Sequence, residues 1–138
     1  MLLVALVLTP LVGSLLAWFA GRRSSEAPRL VALAISLAEA GLAVAALMEL
    51  LASSGERLEW VAGGGVSPVA TRLVLDGLAM PLVLLTVLLG AVAIVASWRV
   101  SDRPGVHHAL LLALEAAVMT VFLAGDLILF YVAWEAVL

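Results

Sequence analysis

The chain has 138 residues, of which 65% are hydrophobic and 12% are charged, and its mean hydropathy is +1.25. Soluble domains contain about 45–50% apolar and about 25% charged residues, so this composition predicts an integral membrane protein. The sequence contains no cysteine, which excludes disulfides, thiolate metal sites and iron–sulfur ligation. The net charge of −3 does not favour nucleic-acid binding, and we expect no nucleic-acid partner.

Apolar stretches of about 20 residues, long enough to cross a bilayer as a helix, determine the predicted architecture. Four full spans and a shorter fifth segment are predicted at Leu2–Ala20, Leu30–Ala52, Leu78–Trp98, Val106–Ala124 and Leu127–Leu138. At 1.5 Å per residue the fifth segment reaches only about 18 Å, too short to cross alone. The predicted fold is therefore an all-α polytopic transmembrane helix bundle. Residues 1–138 form a single transmembrane region, with four full spans and a truncated fifth.

The short fifth segment has two interpretations. We expect it to continue in the natural protein, because a terminal carboxylate in mid-membrane would be very unfavourable; the chain would then be a fragment or the product of a split gene. The alternative is a short re-entrant or interfacial helix. The first segment is expected to be a retained span rather than a secretory signal, because its arginines follow the apolar run.

Arginine placement predicts the orientation of the chain. Five of the seven arginines lie in the first and third connections, whereas the long second connection has two arginines among three acidic residues. The positive-inside rule therefore places the first and third connections in the cytoplasm and the N-terminus outside, in a bacterial or archaeal cytoplasmic membrane. The second connection contains Ser53-Ser54-Gly55, Gly63-Gly64-Gly65 and Pro68, so we predict an irregular extracytoplasmic loop.

Three glutamates lie deep within predicted spans, where an ionisable side chain costs roughly 2.5–3.5 kcal/mol and is a candidate functional group. Gly125-Asp126 predicts a tight link that makes the last two segments an antiparallel hairpin. Glu115 lies about nine residues before this link and Glu135 about eight residues after it, which gives both a depth of about 12–14 Å. Glu39 has a similar predicted depth in the second span.

Each deep glutamate has a structural as well as a functional interpretation. A protonated glutamate can join helices by hydrogen bonds, whereas a carboxylate whose proton affinity changes with its surroundings can relay protons. We predict proton-relay roles for Glu135 and Glu115; depth alone supports Glu39, and Glu49 is predicted to be interfacial. His107 and His108 are interpreted as the cytoplasmic start of the fourth span rather than as a metal site, because only two ligands are in view.

The residues from Leu75 to the end resemble a known family. Residues 75–86 (LDGLAMPLVLLT) are similar to the motif that enters the third span of the antiporter-like subunits of complex I, the proton-pumping NADH:quinone oxidoreductase. Residues 109–135 are similar to the fourth and fifth spans of these subunits. The sequence Trp134-Glu135-Ala136-Val137-Leu138 resembles chain M more than chain L, whose motif places glycines just after the glutamate. The first two spans resemble the family only in hydropathy and topology.

This resemblance implies that the chain is the N-terminal portion of a proton-translocating membrane-arm subunit. In the family, the glutamate matching Glu135 pairs with a lysine two helices further on, and the pair gates proton entry to a hydrated central channel. The glutamate matching Glu115 is a nearby auxiliary carboxylate, whereas no motif supports Glu39, whose replacement is expected to have the smallest effect. The sequence ends before that lysine, before the broken helices and before the second inverted repeat.

The resemblance also implies the partners and cofactors of the chain. The expected partners are other membrane-arm subunits of a respiratory complex and the lipid bilayer. We expect no cofactor and no metal ion in this chain, because flavin, iron–sulfur clusters and nucleotides belong to other subunits of such complexes. Two alternatives remain open. One is a D-type chain of a multisubunit Na+/H+ antiporter, or the related part of a membrane-bound hydrogenase; the other is a non-transporting membrane scaffold in which the glutamates only join helices.

Cysteines introduced into the connections test the predicted orientation against a cysteine-free background. Cysteines at Ser24 and Ser101 are expected to be protected from a membrane-impermeant thiol reagent in intact cells, because arginines hold these connections in the cytoplasm. A cysteine at Ser67 is expected to be labelled. Labelling of the cysteine at Ser24 together with protection of the one at Ser67 would show that the orientation is the reverse of the predicted one.

Overall fold

The computed structural model describes residues 1–53, 57–62 and 71–138. Along these residues lie five helices and two strands, in the order α1 (Leu2–Ala20), α2 (Ala27–Ala52), β1 (Leu58–Ala62), β2 (Thr71–Leu75), α3 (Ala79–Ala96), α4 (Pro104–Leu123) and α5 (Leu127–Val137). The helices α1 to α4 are long and apolar enough to cross a membrane, whereas α5 is shorter. The predicted helix bundle is therefore confirmed, and the small sheet is an addition to it.

Local sequence signals explain where three of the helices begin. Pro28 and Pro104 lie in the first turns of α2 and α4, where a helix does not use the backbone N–H that proline lacks. The α5 helix begins after Asp126, whose side chain accepts a hydrogen bond of 2.8 Å from the backbone N–H of Leu129. This is the usual N-cap role of aspartate, and it separates α5 from α4.

The α1 helix lies between α2 and α4 and packs against both, while α3 packs on α2 and α4, and α5 packs on α4. A glycine contact brings α1 and α4 together, since a Cβ atom added to Gly105 would lie 2.7 Å from the Cα atom of Gly21. At the same end of the bundle, Arg29 Nη2 donates a hydrogen bond of 3.1 Å to the carbonyl oxygen of Val100. The α2 and α4 helices therefore begin at one end and run parallel.

The buried apolar side chains form two clusters. The lower cluster lies near the starts of α2 and α4 and consists of Ala17, Ala32, Ile94, Ala109 and Leu112. The upper cluster lies toward the opposite end and includes Leu3, Leu6, Ala43, Ala46, Leu50, Leu73, Leu75, Met80, Val83, Val87, Met119 and Leu123. Many large apolar side chains of the helices are exposed on the outside of the bundle, as expected for an integral membrane protein.

The prediction of an irregular second connection is wrong in the part that the structure describes. Strands β1 and β2 pair antiparallel, from Leu58 opposite Leu75 to Ala62 opposite Thr71. Alternating side chains explain the strands, because one side of β2 packs into the upper cluster. The residues behind the prediction of irregularity, including Ser54-Gly55, Gly63-Gly64-Gly65 and Pro68, lie outside the described residues, as does Ser67.

The sheet is attached to the link between α4 and α5. The backbone N–H of Gly125 donates to the carbonyl oxygen of Arg72 at 2.8 Å, and the N–H of Arg72 donates to Oδ2 of Asp126 at 2.9 Å. Leu73 and Ala124 form a further bridge. The hydrogen bonds from the N–H groups of Leu129 and Arg72 hold the pKa of the Asp126 carboxyl below its usual value. The link that the sequence predicted as a tight turn is thus also a docking point for β2.

The glycine contact between α1 and α4 predicts a difference between two glycine substitutions. Gly105→Ala is expected to lower the melting temperature of the detergent-solubilised protein, because the new methyl group meets the backbone of Gly21, which cannot rotate away. Gly41→Ala is the matched control, since a Cβ atom there meets nothing within 4 Å. Because alanine is the better helix former, Gly41→Ala is expected to be neutral or to stabilise by about 0.5–1 kcal/mol. Equal melting temperatures for the two variants would contradict the close packing.

Candidate functional site

The buried polar side chains of the described residues are all found on two parallel helices. They are Ser36 and Glu39 on α2, and His108 and Glu115 on α4. Glu39 is fully buried, and Glu115 is 6% exposed. Two carboxyl groups buried in an apolar bundle are unusual enough to mark a candidate functional site.

Glu39 and Glu115 interact directly with each other. Each lies about three turns after the proline that opens its helix, so the parallel packing of α2 and α4 brings the two side chains to one level. The Glu115 carboxyl is close enough for its charge to act on Glu39, but neither carboxylate oxygen of Glu39 has a hydrogen-bond partner among the described residues. The structure therefore joins two acidic residues that are separated by most of the chain.

The chemistry of the pair follows from its donors and acceptors. Both carboxylate oxygens of Glu39 and Oε1 of Glu115 are buried, and none of these three atoms has a hydrogen-bond partner among the described residues. Two ionised carboxylates offer only acceptors, so they can form a hydrogen bond with each other only when one of them carries a proton. Two negatively charged carboxylates side by side in an apolar bundle would also repel each other strongly. The arrangement is suited to holding one proton between two acidic groups.

Gly90 of α3 provides the space for the Glu115 carboxyl. A Cβ atom at Gly90 would overlap with the carboxyl group of Glu115, so only glycine leaves room for the side chain in this position. The pair lies between the two apolar clusters, since Ile94 and Leu112 belong to the lower cluster and Val87 belongs to the upper one. The carboxyl groups thus interrupt the apolar core at a single level.

A groove of about 350 Å³ runs between α3 and α4 and reaches Glu115. Thr86, Gly90 and Glu115 line it together with apolar side chains. The hydroxyl of Thr86 donates to the carbonyl oxygen of Leu82 in its own helix at 2.8 Å. The groove therefore offers protons almost no polar groups on the way to Glu115.

The other predicted site residues lie elsewhere. Glu135 is exposed on α5, and among the described residues no basic side chain forms an ion pair with it. The predicted packing of the last two helices is confirmed, because α5 packs on α4. However, the described partner of Glu115 is Glu39, which the sequence supported by depth alone. Glu49 is exposed near the end of α2.

The histidine pair occupies the first turns of α4. His108 is fully buried, and its Nδ1 atom lies 2.8 Å from the carbonyl oxygen of Pro104. The ring of His107 lies edge-on to it, with ring centroids 5.3 Å apart. The charged side chain that acts on His108 from the neighbouring helix is Arg29 of α2, which is ion-paired with Glu26 at 2.8 Å. The start of the fourth span, which the sequence predicted only as a helix start, therefore contains a buried imidazole, that of His108.

Sequence reasoning missed the Glu39–Glu115 contact, the role of Gly90 and the burial of His108. One signal for the contact was present, because Glu39 and Glu115 follow Pro28 and Pro104 at the same interval. When two parallel helices start at the same end of a bundle, residues at equal numbers of positions after their starts lie at the same depth. No comparable signal in the sequence identifies Gly90 as the neighbour of Glu115.

Comparison with known proteins gives clear relatives. The chain is 37% identical over 139 residues to NAD(P)H-quinone oxidoreductase chain 4 2 of Thermosynechococcus vestitus, and the aligned region covers 96% of this chain and 26% of the relative. It is 33% identical over 154 residues to NADH-quinone oxidoreductase subunit M of Escherichia coli K12, which covers all of this chain and 29% of the relative. The resemblance to the complex I subunits is therefore confirmed. No protein family model matches the sequence.

A solved structure shares the fold. A chain of the membrane-bound sulfane sulfur reductase, an archaeal respiratory membrane complex, superposes with a TM-score of 0.87 over 98% of this chain and 28% of that one. The sequence identity is 17%, so this likeness concerns the fold alone. The chain spans about a quarter of the length of the curated relatives that it matches.

The Gly90 contact predicts that a small substitution on α3 changes the carboxyl pair. Gly90→Ala is expected to leave the protein folded, because the atoms that it meets are the flexible end of the Glu115 side chain, but to move that carboxyl. The infrared C=O band of the protonated carboxyl, assigned by its loss in the double variant Glu39→Gln/Glu115→Gln, should therefore shift. Gly41→Ala should leave the band in place. An unshifted band in Gly90→Ala would show that the carboxyl does not occupy this position.

Proposed function

Because this chain is homologous over nearly its whole length to part of the chain 4 and subunit M proteins of NAD(P)H-quinone oxidoreductases, we propose that it takes part in proton translocation across a membrane. The translocation is coupled to electron transfer from NADH to quinone. The chain acts as a component of the membrane arm of a complex I-type enzyme.

The buried pair of Glu39 and Glu115 is the observation that carries this proposal. A pair that shares one proton becomes an acceptor when it loses that proton and a donor when it regains it, so it can relay protons inside an apolar bundle. A single buried glutamate could instead remain protonated and only join helices. The neighbouring carboxyl at the same level gives the first a place to pass its proton.

Glu135 has a different position in the proposed relay. It is exposed on α5, and the family resemblance pairs the matching glutamate with a lysine on a later helix. An exposed carboxylate on α5 is available for such a partner, which would stabilise its charged form. In the proposed mechanism Glu135 exchanges protons with a hydrated channel, and Glu115 and Glu39 exchange protons inside the bundle.

The remaining properties of the chain follow from the same proposal. Its partners are other membrane subunits and the surrounding lipid, and the redox cofactors belong to other subunits, so that this chain holds none. Five arginines support an orientation in which the first and third connections face the cytoplasm. The end of the bundle at which α2 and α4 begin is then the cytoplasmic end.

Glutamine substitutions in the complete complex test the relay. Glu135→Gln keeps the shape and much of the hydrogen bonding of the side chain but removes its titratable proton. Assembly should therefore survive, whereas proton pumping and the coupled quinone reduction should fall by roughly tenfold or more. Glu115→Gln should reduce pumping less than Glu135→Gln, because Glu39 retains a carboxyl at the same level. Pumping is measured as acidification by inverted membrane vesicles, and assembly by native gel electrophoresis.

Two further variants sharpen this test. Glu49→Gln is the matched control, because this glutamate is exposed near the end of α2, and it should pump like the unmodified complex. Glu135→Asp should retain partial pumping if the residue relays a proton, whereas a scaffold would be disturbed by the shorter side chain at least as much as by glutamine. Full pumping by an assembled Glu135→Gln complex would refute the proposed role of Glu135.

A further inference from the structure

Buried polar atoms without a protein hydrogen-bond partner are confined to one part of the described structure. They belong to α2 and α4 and are Nε of Arg29, Oγ of Ser36, both carboxylate oxygens of Glu39, Nε2 of His107, Nε2 of His108 and Oε1 of Glu115. Polar groups inside an apolar bundle are strongly unfavourable unless they are hydrogen-bonded, and water is the usual partner where protein provides none. A row of such atoms indicates that water molecules hydrogen-bond to them inside the bundle.

The helix rise places these atoms in order of depth. Arg29 and His108 lie in the first turns of α2 and α4, near the connections that open these helices. From the level of the carboxyl pair, Ser36 is about 4.5 Å and His108 about 10 Å closer to that end. Along the helix axis the gaps between successive levels are about 4.5–6 Å, a rise that one or two water molecules can bridge.

The row ends at the carboxyl pair. On the opposite side of the pair, the buried faces of α2 and α4 contribute Ala43, Ala46, Met119 and Leu123 to the upper cluster. The described residues of that region contain no unpartnered buried polar side-chain atom. The polar row therefore connects the carboxyl pair with one end of the bundle only.

The hydrogen bond of His108 determines which of its ring nitrogens carries the hydrogen and which can accept a proton. The carbonyl oxygen of Pro104 can only accept, so Nδ1 of His108 carries the hydrogen that bonds to it at 2.8 Å. In the neutral ring, Nε2 is then an unprotonated acceptor, and this buried atom has no protein partner. Arg29 and His107 are the other charged or titratable groups that act on His108.

We propose that His108 and Ser36 line a hydrated path that carries protons between the α2–α4 opening end of the bundle and the Glu39–Glu115 pair. This inference rests on the proposed function, because it gives the proton relay its access route. Nε2 of His108 accepts a proton from a hydronium ion at the helix starts, which leaves a water molecule and the imidazolium. The same proton then passes through water hydrogen-bonded to the hydroxyl of Ser36 to the ionised carboxyl of the pair. His108 returns to its neutral form, and the pair gains one proton.

Hydrogen–deuterium exchange of the carboxyl pair tests this path without turnover. Membranes that contain the chain assembled with its partner subunits are transferred rapidly from H₂O to D₂O. The isotope shift of the protonated carboxyl band, assigned by its loss in the double variant Glu39→Gln/Glu115→Gln, is followed by infrared spectroscopy. His108→Leu removes the acceptor while keeping a similar volume, and Ser36→Val replaces the hydroxyl of Ser36 with methyl groups. Each is expected to slow the exchange at least tenfold, and Ser36→Val serves as an independent test if His108→Leu fails to assemble.

Thr120→Val is the matched control. Thr120 lies on α4 beyond Glu115, on the side away from the path, and its hydroxyl donates to the carbonyl oxygen of Ala116 at 2.7 Å. Exchange in this variant should match that of the unmodified protein. Unchanged exchange in an assembled His108→Leu or Ser36→Val variant would overturn the path, as would equal slowing by Thr120→Val. Because the exchange is measured without electron transfer, these outcomes are separate from loss or retention of pumping in Glu135→Gln.

Discussion

The contact between two acidic side chains inside an apolar bundle is the constraint on which the rest of this structure depends. Glu39 and Glu115 come from helices that are distant in sequence, so their meeting requires α2 and α4 to be parallel and correctly aligned along their length. The prolines at the helix starts and the close glycine contact of α1 with α4 provide that alignment. Small errors in axial position would separate the carboxyl groups and leave two unpaired acids in the membrane.

The division of the apolar core into two clusters has the same origin. A carboxyl pair cannot pack as an apolar layer, and Gly90 leaves the space that the Glu115 carboxyl occupies. The upper and lower clusters on either side of the pair contain packed leucine, valine, methionine and isoleucine side chains. Tight packing on both sides strengthens electrostatic interactions at the level of the pair, because it excludes bulk water from that level.

The sequence was informative about the membrane-spanning segments and much less informative about their neighbours. The bounds of α1 agree with the predicted Leu2–Ala20, because a long apolar run in a bilayer has few alternatives to a helix. The depth of Glu39 could be estimated from helix rise, but its partner could not, since that depends on which helices touch. The strands β1 and β2 were missed because five-residue strands next to glycine-rich segments resemble loops, and their position depends on residues 124–126, far along the chain.

The attachment of β2 to the link between α4 and α5 bears on how the chain is inserted into the membrane. Arg72 and Asp126, which hydrogen-bond to each other, are 54 residues apart, and two complete membrane crossings lie between them. During synthesis β2 emerges well before its docking site exists, so this part of the structure can form only after α3 and α4 have both crossed the bilayer. A chain in which one of these helices failed to cross would leave β2 and residues 124–126 on opposite sides of the membrane. Completion of the sheet and link is thus a folding step that only correctly inserted chains can reach, and it distinguishes them from misinserted chains on a surface accessible to water.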